Sequence, residues 1–200
     1  MIDIRDIDEP VAASQPLTRA ITRYTMPGDL IVDLGCGDGR TLIEAIRADR
    51  LAIGIERNRR LAETAREAVV QATAHGGPGF AAVVVGELAD VPKLIGPDSL
   101  GKATLVLVDM ARVGVLGEHA RVDAAEALGR FATVLDVGCA LLRPGGHALV
   151  SAQSDLLDEI ETAVDATSAF DMVEELCAPE LGAVHRQVPA AVMRFAAAHA

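Results

Sequence analysis

The segment Asp33-Leu34-Gly35-Cys36-Gly37-Asp38-Gly39-Arg40 concentrates the chemistry of the chain. Glycines that alternate through a turn add no Cβ bulk, so main chain can approach a bound ligand closely. Asp33 and Asp38 bracket that turn with carboxylates, which repel linked phosphates at short range. They favour instead a ligand carrying positive charge, such as an amine together with a sulfonium. The spacing also departs from the dinucleotide fingerprint, whose glycines stand at the first, third and sixth loop positions. Those positions here are Gly35, Gly37 and Arg40, so the third glycine is missing. A tight strand-to-helix turn with no ligand is the plain alternative.

The elements around this turn follow from hydrophobic period. Leu30 to Asp33 reads as a buried strand and Arg40 to Asp49 as the helix after it. Leu51 to Ile55, Ala82 to Val85, Thr104 to Val108 and His147 to Ser151 are further short apolar strands. Helical stretches separate them at Asn58 to Ala74, near Asp90 to Ile95, and at Glu118 to Leu142, with another at Leu156 to Thr167. Gly76-Gly77-Pro78-Gly79 and Arg143-Pro144-Gly145-Gly146 end two of these helices. Short apolar strands alternating with helices predict a parallel sheet buried on both faces, wound with helices on either side. Asp171 to Leu176 and Ala190 to Phe195 have no helix between them, so they are expected to pair as an antiparallel hairpin at the sheet edge. The expected fold is α/β, a doubly wound three-layer sandwich in a single domain, with residues 1–27 as an N-terminal arm and helix and 28–200 as the core.

With these features the chain resembles the class I, Rossmann-like methyltransferases that use S-adenosylmethionine. The Asp33-to-Gly39 loop, Glu56 at the end of the second strand, and Leu141-Leu142-Arg143-Pro144-Gly145-Gly146 carry the resemblance, which spans roughly residues 15 to 195. It implies a mostly parallel seven-stranded sheet of order 3-2-1-4-5-7-6. It further implies that Asp33, Gly35, Cys36, Gly37, Glu56, Arg57, Glu87, Leu88 and Asp109 surround the cofactor. Glu56 follows Asp33 by about 20 residues and can accept from both ribose hydroxyls; a charge at a helix start is its bland reading. Glu87 stands where the family places an acid against the adenine amino group, in place of the more frequent Asp, and a solvated loop charge is its alternative. Cys36 and Cys139 read as small packing residues.

In open α/β sheets ligands bind outside the carboxyl ends of the strands. That rule brings Asp109, Arg112, His119, Ser151, Gln153, Ser154, His185 and Arg186 toward a methyl acceptor. A hydroxyl acceptor needs a base, for which Asp109, His119 and His185 are the candidates. Asp109 could equally contact the cofactor's amine, or join other oxygens in holding Mg²⁺. The metal-dependent catechol-type branch carries an Asp-Asn pair after strand five, and Val150-Ser151-Ala152-Gln153 lacks it. After strand four the chain reads Asp109-Met110-Ala111-Arg112, not the Asn-Pro-Pro-Tyr or Asp-Pro-Pro-Tyr of branches that methylate amino groups on bases or glutamine. His147 falls at the amino end of its strand, away from the chemistry, and His75 and His199 read as solvated.

Composition narrows the partners. Eighteen Lys and Arg against 29 Asp and Glu leave a formal charge of −11. That balance argues against a broad basic surface for nucleic acid, and one Tyr, four Phe and no Trp argue against a base-stacking platform. Cys36, Cys139 and Cys177 form no paired spacing, which fits reduced thiols in the cytoplasm. The acidic N-terminus does not read as a secretory signal, and no run suffices for a membrane span. The expectation is therefore a methyltransferase acting on a hydroxyl of a small molecule or sugar, with a homodimer as an open assembly. Protein-lysine or RNA methylation is the alternative within that chemistry, with Arg57, Arg59 and Arg60 as a thin basic cluster. An NAD-dependent oxidoreductase or a non-catalytic nucleotide-binding regulator is the reading from another class.

Overall fold

Largely apolar runs of five to seven residues, bounded by glycine or charge, become the first four strands. A computed structural model describes residues 16–110, 124–151, 160, 162, 164, 170–176 and 190–195. The elements are α1 (Pro16–Tyr24), β1 (Leu30–Leu34), α2 (Arg40–Arg47), β2 (Leu51–Glu56), α3 (Arg59–Ala74), β3 (Phe80–Val85), α4 (Val91–Leu94), β4 (Ala103–Asp109), α5 (Ala124–Leu141) and β5 (Leu142–Ser151). Two further strands follow, β6 (Phe170–Leu176) and β7 (Ala190–Phe195). Strands β1 to β5 form a parallel sheet of order β3-β2-β1-β4-β5.

Alternation along the strands sorts side chains to two faces, as the pleat requires. Val32, Leu34, Val106, Val108 and Val150 pack with Phe131, Val134 and Leu135 of α5. Ile31, Leu105, Leu107 and Leu149 pack on the other face with Ala20 and Ile21 of α1 and with Leu42, Ala45 and Ile46 of α2. The expected three-layer arrangement of helices on both faces is thus present. Residues 103–108 of β4 are all buried, as a central parallel strand must be. Ile160 and Val164 are also buried while Thr162 is exposed, the spacing of one helical face within the expected Leu156-to-Thr167 helix.

Three of the boundaries that differ from the sequence reading have a local reason. Asn58, expected inside the third helix, caps it: its side-chain oxygen accepts from Arg60 N at 3.0 Å and Leu61 N at 3.4 Å. The second helix stops at Arg47, because Asp49 takes φ 62° and turns the chain. Arg143-Pro144-Gly145-Gly146, read as a break ahead of His147, bulges out of β5 itself. Ala103 is paired with Leu142 and Leu105 with His147, so the intervening segment leaves the ladder. Gly145 sits at φ 75° there. Described residues of the helix expected from Glu118 begin at Ala124.

At the amino ends of the strands a buried arginine ties α1 to the sheet. Arg50 is 7% exposed and donates from Nε to Thr25 Oγ1 at 2.9 Å and from Nη2 to Thr25 O at 2.6 Å, while Nη1 donates to Ala48 O. His147 lies at the same end and packs its ring on Tyr24, with centroids 4.7 Å apart. The expectation that His147 falls at the amino ends of the strands therefore holds. His75 is exposed at the C-cap of α3, as expected.

Cys139 in α5 is half-buried, and burial, reinforced by the nearby Asp136 carboxylate, pushes its thiol above the ordinary range. Raising a thiol pKa lowers the thiolate fraction at a given pH, so alkylation is suppressed below that pKa and recovers only above it. Iodoacetamide at about pH 8 is accordingly expected to label Cys139 several-fold more slowly than a free model thiol. Peptide mass spectrometry over time reads the rate, and labelling as fast as the model thiol would contradict the assignment.

Candidate functional site

Because β1 to β5 run parallel, their carboxyl ends share one edge, which carries Leu34, Glu56, Val85, Asp109 and Ser151. The glycine loop lies along that edge. Gly35, Gly37 and Gly39 take φ 89°, 57° and 87°, values that explain three glycines at alternate positions. The loop is fastened to β2 by its own amides: Gly35 N and Cys36 N both donate to Ile55 O, at 2.8 and 3.0 Å. Gly39 is further held because a Cβ there would stand 3.0 Å from Cα and Cβ of Ala65 in α3.

Glu56 is the hinge of the arrangement. It is 4% exposed, and its two oxygens are shared between two segments. Oε2 accepts from Gly37 N at 3.0 Å and Oε1 from Asn58 N at 2.7 Å. The carboxylate therefore clamps the β1–α2 loop to the β2–α3 turn. A carboxylate offers about four acceptor sites, so each oxygen keeps capacity for a ligand hydroxyl. Leu34, Gly35, Ile55, Glu56, Arg57, Gly86, Glu87 and Leu88 line an open cleft beside this clamp.

The cleft brings together Gly35, Glu56, Arg57, Glu87 and Leu88 of the residues expected around a cofactor. Gly37 borders it through the bond to Glu56. Asp33 is buried within β1, in register with Gly54 and Leu107. Asp109 is half-exposed at the end of β4, in register with Ser151 of β5. The Cys36 side chain is fully buried in the core with Leu42 and Ala45, while its main chain lies in the glycine loop, where its carbonyl accepts from Gly39 N at 3.0 Å. Its side chain packs as expected. Arg112, His119, Gln153, Ser154, His185, Arg186 and His199 lie outside the described residues, as does Cys177.

Sequence reasoning missed two contributors. Asn58 both caps α3 and presents its amide to Glu56, and an Asn just before a helical period is a readable signal for it. Gly54 in β2 has no local signal, because its reason is Cys36 across the strand pair. A Cβ at Gly54 would lie 2.7 Å from Cys36 Sγ and 2.7 Å from Leu42 Cδ1. Gly54→Ala is expected to cost about 1–3 kcal/mol in denaturant unfolding through overpacking beneath the loop. Pairing it with Cys36→Gly should recover part of that loss, and a neutral single variant would contradict the packing account.

Among the described residues no group of three or more His, Cys, Asp or Glu is arranged to hold a metal. Among them, too, no helix is long and apolar enough to cross a membrane.

A family model described as DNA methylase matches residues 14–67, the stretch that holds the glycine loop and Glu56. Among solved structures, magnesium protoporphyrin IX methyltransferase from Synechocystis PCC 6803 with bound SAM is similar at TM-score 0.65 and 15% identity, over 90% of this chain and 76% of that one. TrmN from Thermus thermophilus is similar at TM-score 0.66 and 18% identity, over 89% of this chain and 48% of that one. A SAM-dependent O-methyltransferase from Thermotoga maritima is similar at TM-score 0.61 and 14% identity, over 92% and 66%. The chain thus spans about half and about two thirds of the length of the latter two. A search of curated proteins by sequence finds no match. The order of β1 to β5 and the likeness to these structures give the chain a Rossmann-like α/β fold, the fold also seen in these methyltransferases.

Proposed function

We propose that the protein transfers the methyl group of S-adenosylmethionine to a hydroxyl of a small molecule or sugar. The observation that carries the cofactor assignment is the Glu56 clamp, a buried carboxylate with spare acceptor capacity at the wall of the cleft beside the glycine loop. Glu56 would take the ribose hydroxyls, and Glu87 the adenine amino group with Leu88 beside the ring. Gly35 and Gly37 would let the backbone approach the amino-acid end near Asp33. When bound, S-adenosylmethionine supplies a methyl carbon already activated by sulfonium.

The remaining work falls to this chain's residues. They hold the acceptor oxygen in line and dry, and take its proton. Asp109, half-exposed at the end of β4, is the proposed proton acceptor, with His119 and His185 as the imidazole candidates. The acidic composition and the similarity in fold to the Thermotoga maritima O-methyltransferase support oxygen as the target. The DNA methylase match ends at residue 67, ahead of the acceptor side of the fold, where Asp109-Met110-Ala111-Arg112 stands without a Pro-Pro-Tyr element. Mg²⁺ has no support from the described residues.

The same reading treats residues 1–200 as one domain with the sheet order 3-2-1-4-5-7-6. Antiparallel register of β7 on β5, and of β6 on β7, supports that order. The scattered cysteines support a cytoplasmic setting.

Incubation with methyl-labelled S-adenosylmethionine and panels of hydroxyl, amine, protein and RNA acceptors tests the proposal. Label in a stable ether of a small molecule is the expected result; label confined to RNA or protein would replace it. Asp109→Asn is expected to lower kcat about 100-fold or more, the scale of a lost general base, with cofactor affinity unchanged. Equal loss in turnover and cofactor affinity would make Asp109 a binding residue instead.

A further inference from the structure

β3 is the outermost strand on its side of the sheet, beyond β2. Its residues, Phe80 to Val85, carry no charge. A bare apolar edge is a template on which another chain can add a strand, unless something blocks it. We propose that Arg66, reaching from α3 onto the rim of β3, is the guard that keeps this edge closed to strand addition.

Hydrogen-bond phase leaves one set of backbone groups on that rim. Phe80 N donates to Arg50 O at 3.0 Å and Gly86 N to Glu56 O at 3.2 Å, so even-numbered residues bond inward to β2. In a parallel ladder Ala81, Val83 and Val85 then turn their amides and carbonyls outward. Val83 is the middle one of the three, and its carbonyl accepts from Arg66 Nη2 at 3.1 Å. A strand arriving here must push the guanidinium off that carbonyl or enclose it. Among the described residues no carboxylate forms an ion pair with Arg66. Enclosure would therefore strip water from an unpaired charge, which costs far more than an exposed hydrogen bond returns.

The inner face of α3 holds the guard in place. Ala65, Val69 and Ala72 pack the helix onto the sheet. Arg66, the residue after Ala65, is exposed and reaches the rim from there. Val70, one turn further along α3 on the same side, is 67% exposed, and Phe80 is 61% exposed. Without the guanidinium an incoming strand would meet free backbone groups flanked by apolar side chains. Charge at the centre of the rim is thus what separates β3 from an adhesive edge.

Thioflavin fluorescence and light scattering of the full chain, agitated at about 50 μM and about 37 °C, test this, with circular dichroism verifying the fold of each variant. Arg66→Ala is expected to assemble about fivefold or more faster than wild type. Arg60→Ala removes the same charge from a different side of the same helix, and is expected to stay within about twofold of wild type. Both changes add to a net charge of −11, which favours solubility, so faster assembly of Arg66→Ala alone reports the rim. Arg66→Ala/Val83→Pro is expected to return to about the wild-type rate. Val83 N faces outward, so proline there costs no bond to β2 and denies one to an incoming strand. Arg66→Lys keeps a charge at the rim and is expected to stay within about threefold of wild type, which serves where the proline variant does not fold. Assembly of Arg66→Ala no faster than Arg60→Ala would overturn the inference. So would Arg66→Lys, or a folded proline variant, assembling as fast as Arg66→Ala.

Discussion

Replacing Glu56 with alanine is expected to weaken S-adenosylmethionine binding by about 1–3 kcal/mol, or roughly 5- to 150-fold, the scale of lost charge-assisted hydrogen bonds. The same change should lower stability, because the Gly37 and Asn58 amides lose the oxygens that receive them. Glu56→Gln separates the two effects. It keeps the volume and one acceptor oxygen but turns an NH₂ toward one of those amides, donor against donor. Its affinity should fall nearly as far as that of the alanine variant, while the cavity cost is avoided. Calorimetric titration of each folded variant with S-adenosylhomocysteine reads the affinity directly. An unchanged dissociation constant in both variants would remove Glu56 from the ribose and leave it only the clamp.

The second large effect is expected at the opposite end of the sheet. Arg50→Met should destabilise the fold by about 3–4 kcal/mol, because a buried guanidinium that serves three oxygens is replaced by a group that serves none. Thr25 O and Ala48 O lose those donors, and α1 loses its tie to the start of β2. For a domain of this length each kcal/mol lowers Tm by about 2–4 °C, so a drop near 10 °C is expected in thermal unfolding. Arg50→Lys should recover only part, since one ammonium cannot reproduce the planar fork that spans Thr25 and Ala48. Cofactor affinity of the folded variant should be unchanged, because Arg50 stands at the amino ends of the strands. A Tm shift under about 3 °C would show the arginine network to be incidental.

These two residues mark how far the sequence could be read. The place of Glu56 at the cleft was legible because a strand ending in a carboxylate, after a glycine loop, repeats a pattern with a chemical reason at each position. The parallel core was legible for a similar reason: strands such as β4 are continuous apolar runs, and only a sheet covered on both faces tolerates them. Arg50 was silent. Its partner Thr25 lies 25 residues away, and no period links a loop arginine to the end of α1, with β1 and α2 between them. Gly54 was silent for the same reason, since the need for a glycine there arises from Cys36 across the strand pair.

Cys36 was grouped with the ligand by its place in the loop. The left-handed glycines on either side turn the chain so that its side chain packs in the core while its main chain stays in the loop. The Arg143-to-Gly146 segment was read as a helix stop, which it is. Sequence gave no means of seeing that β5 begins ahead of it and carries it as a bulge against Ala103 and Leu105.

Calorimetric titration of the purified wild-type chain with S-adenosylmethionine, S-adenosylhomocysteine and NAD tests the central claim most directly. Saturable binding of both sulfur nucleosides at one site per chain, with no heat from NAD, is the predicted result. Clean saturation by NAD with neither sulfur nucleoside taken up would contradict it.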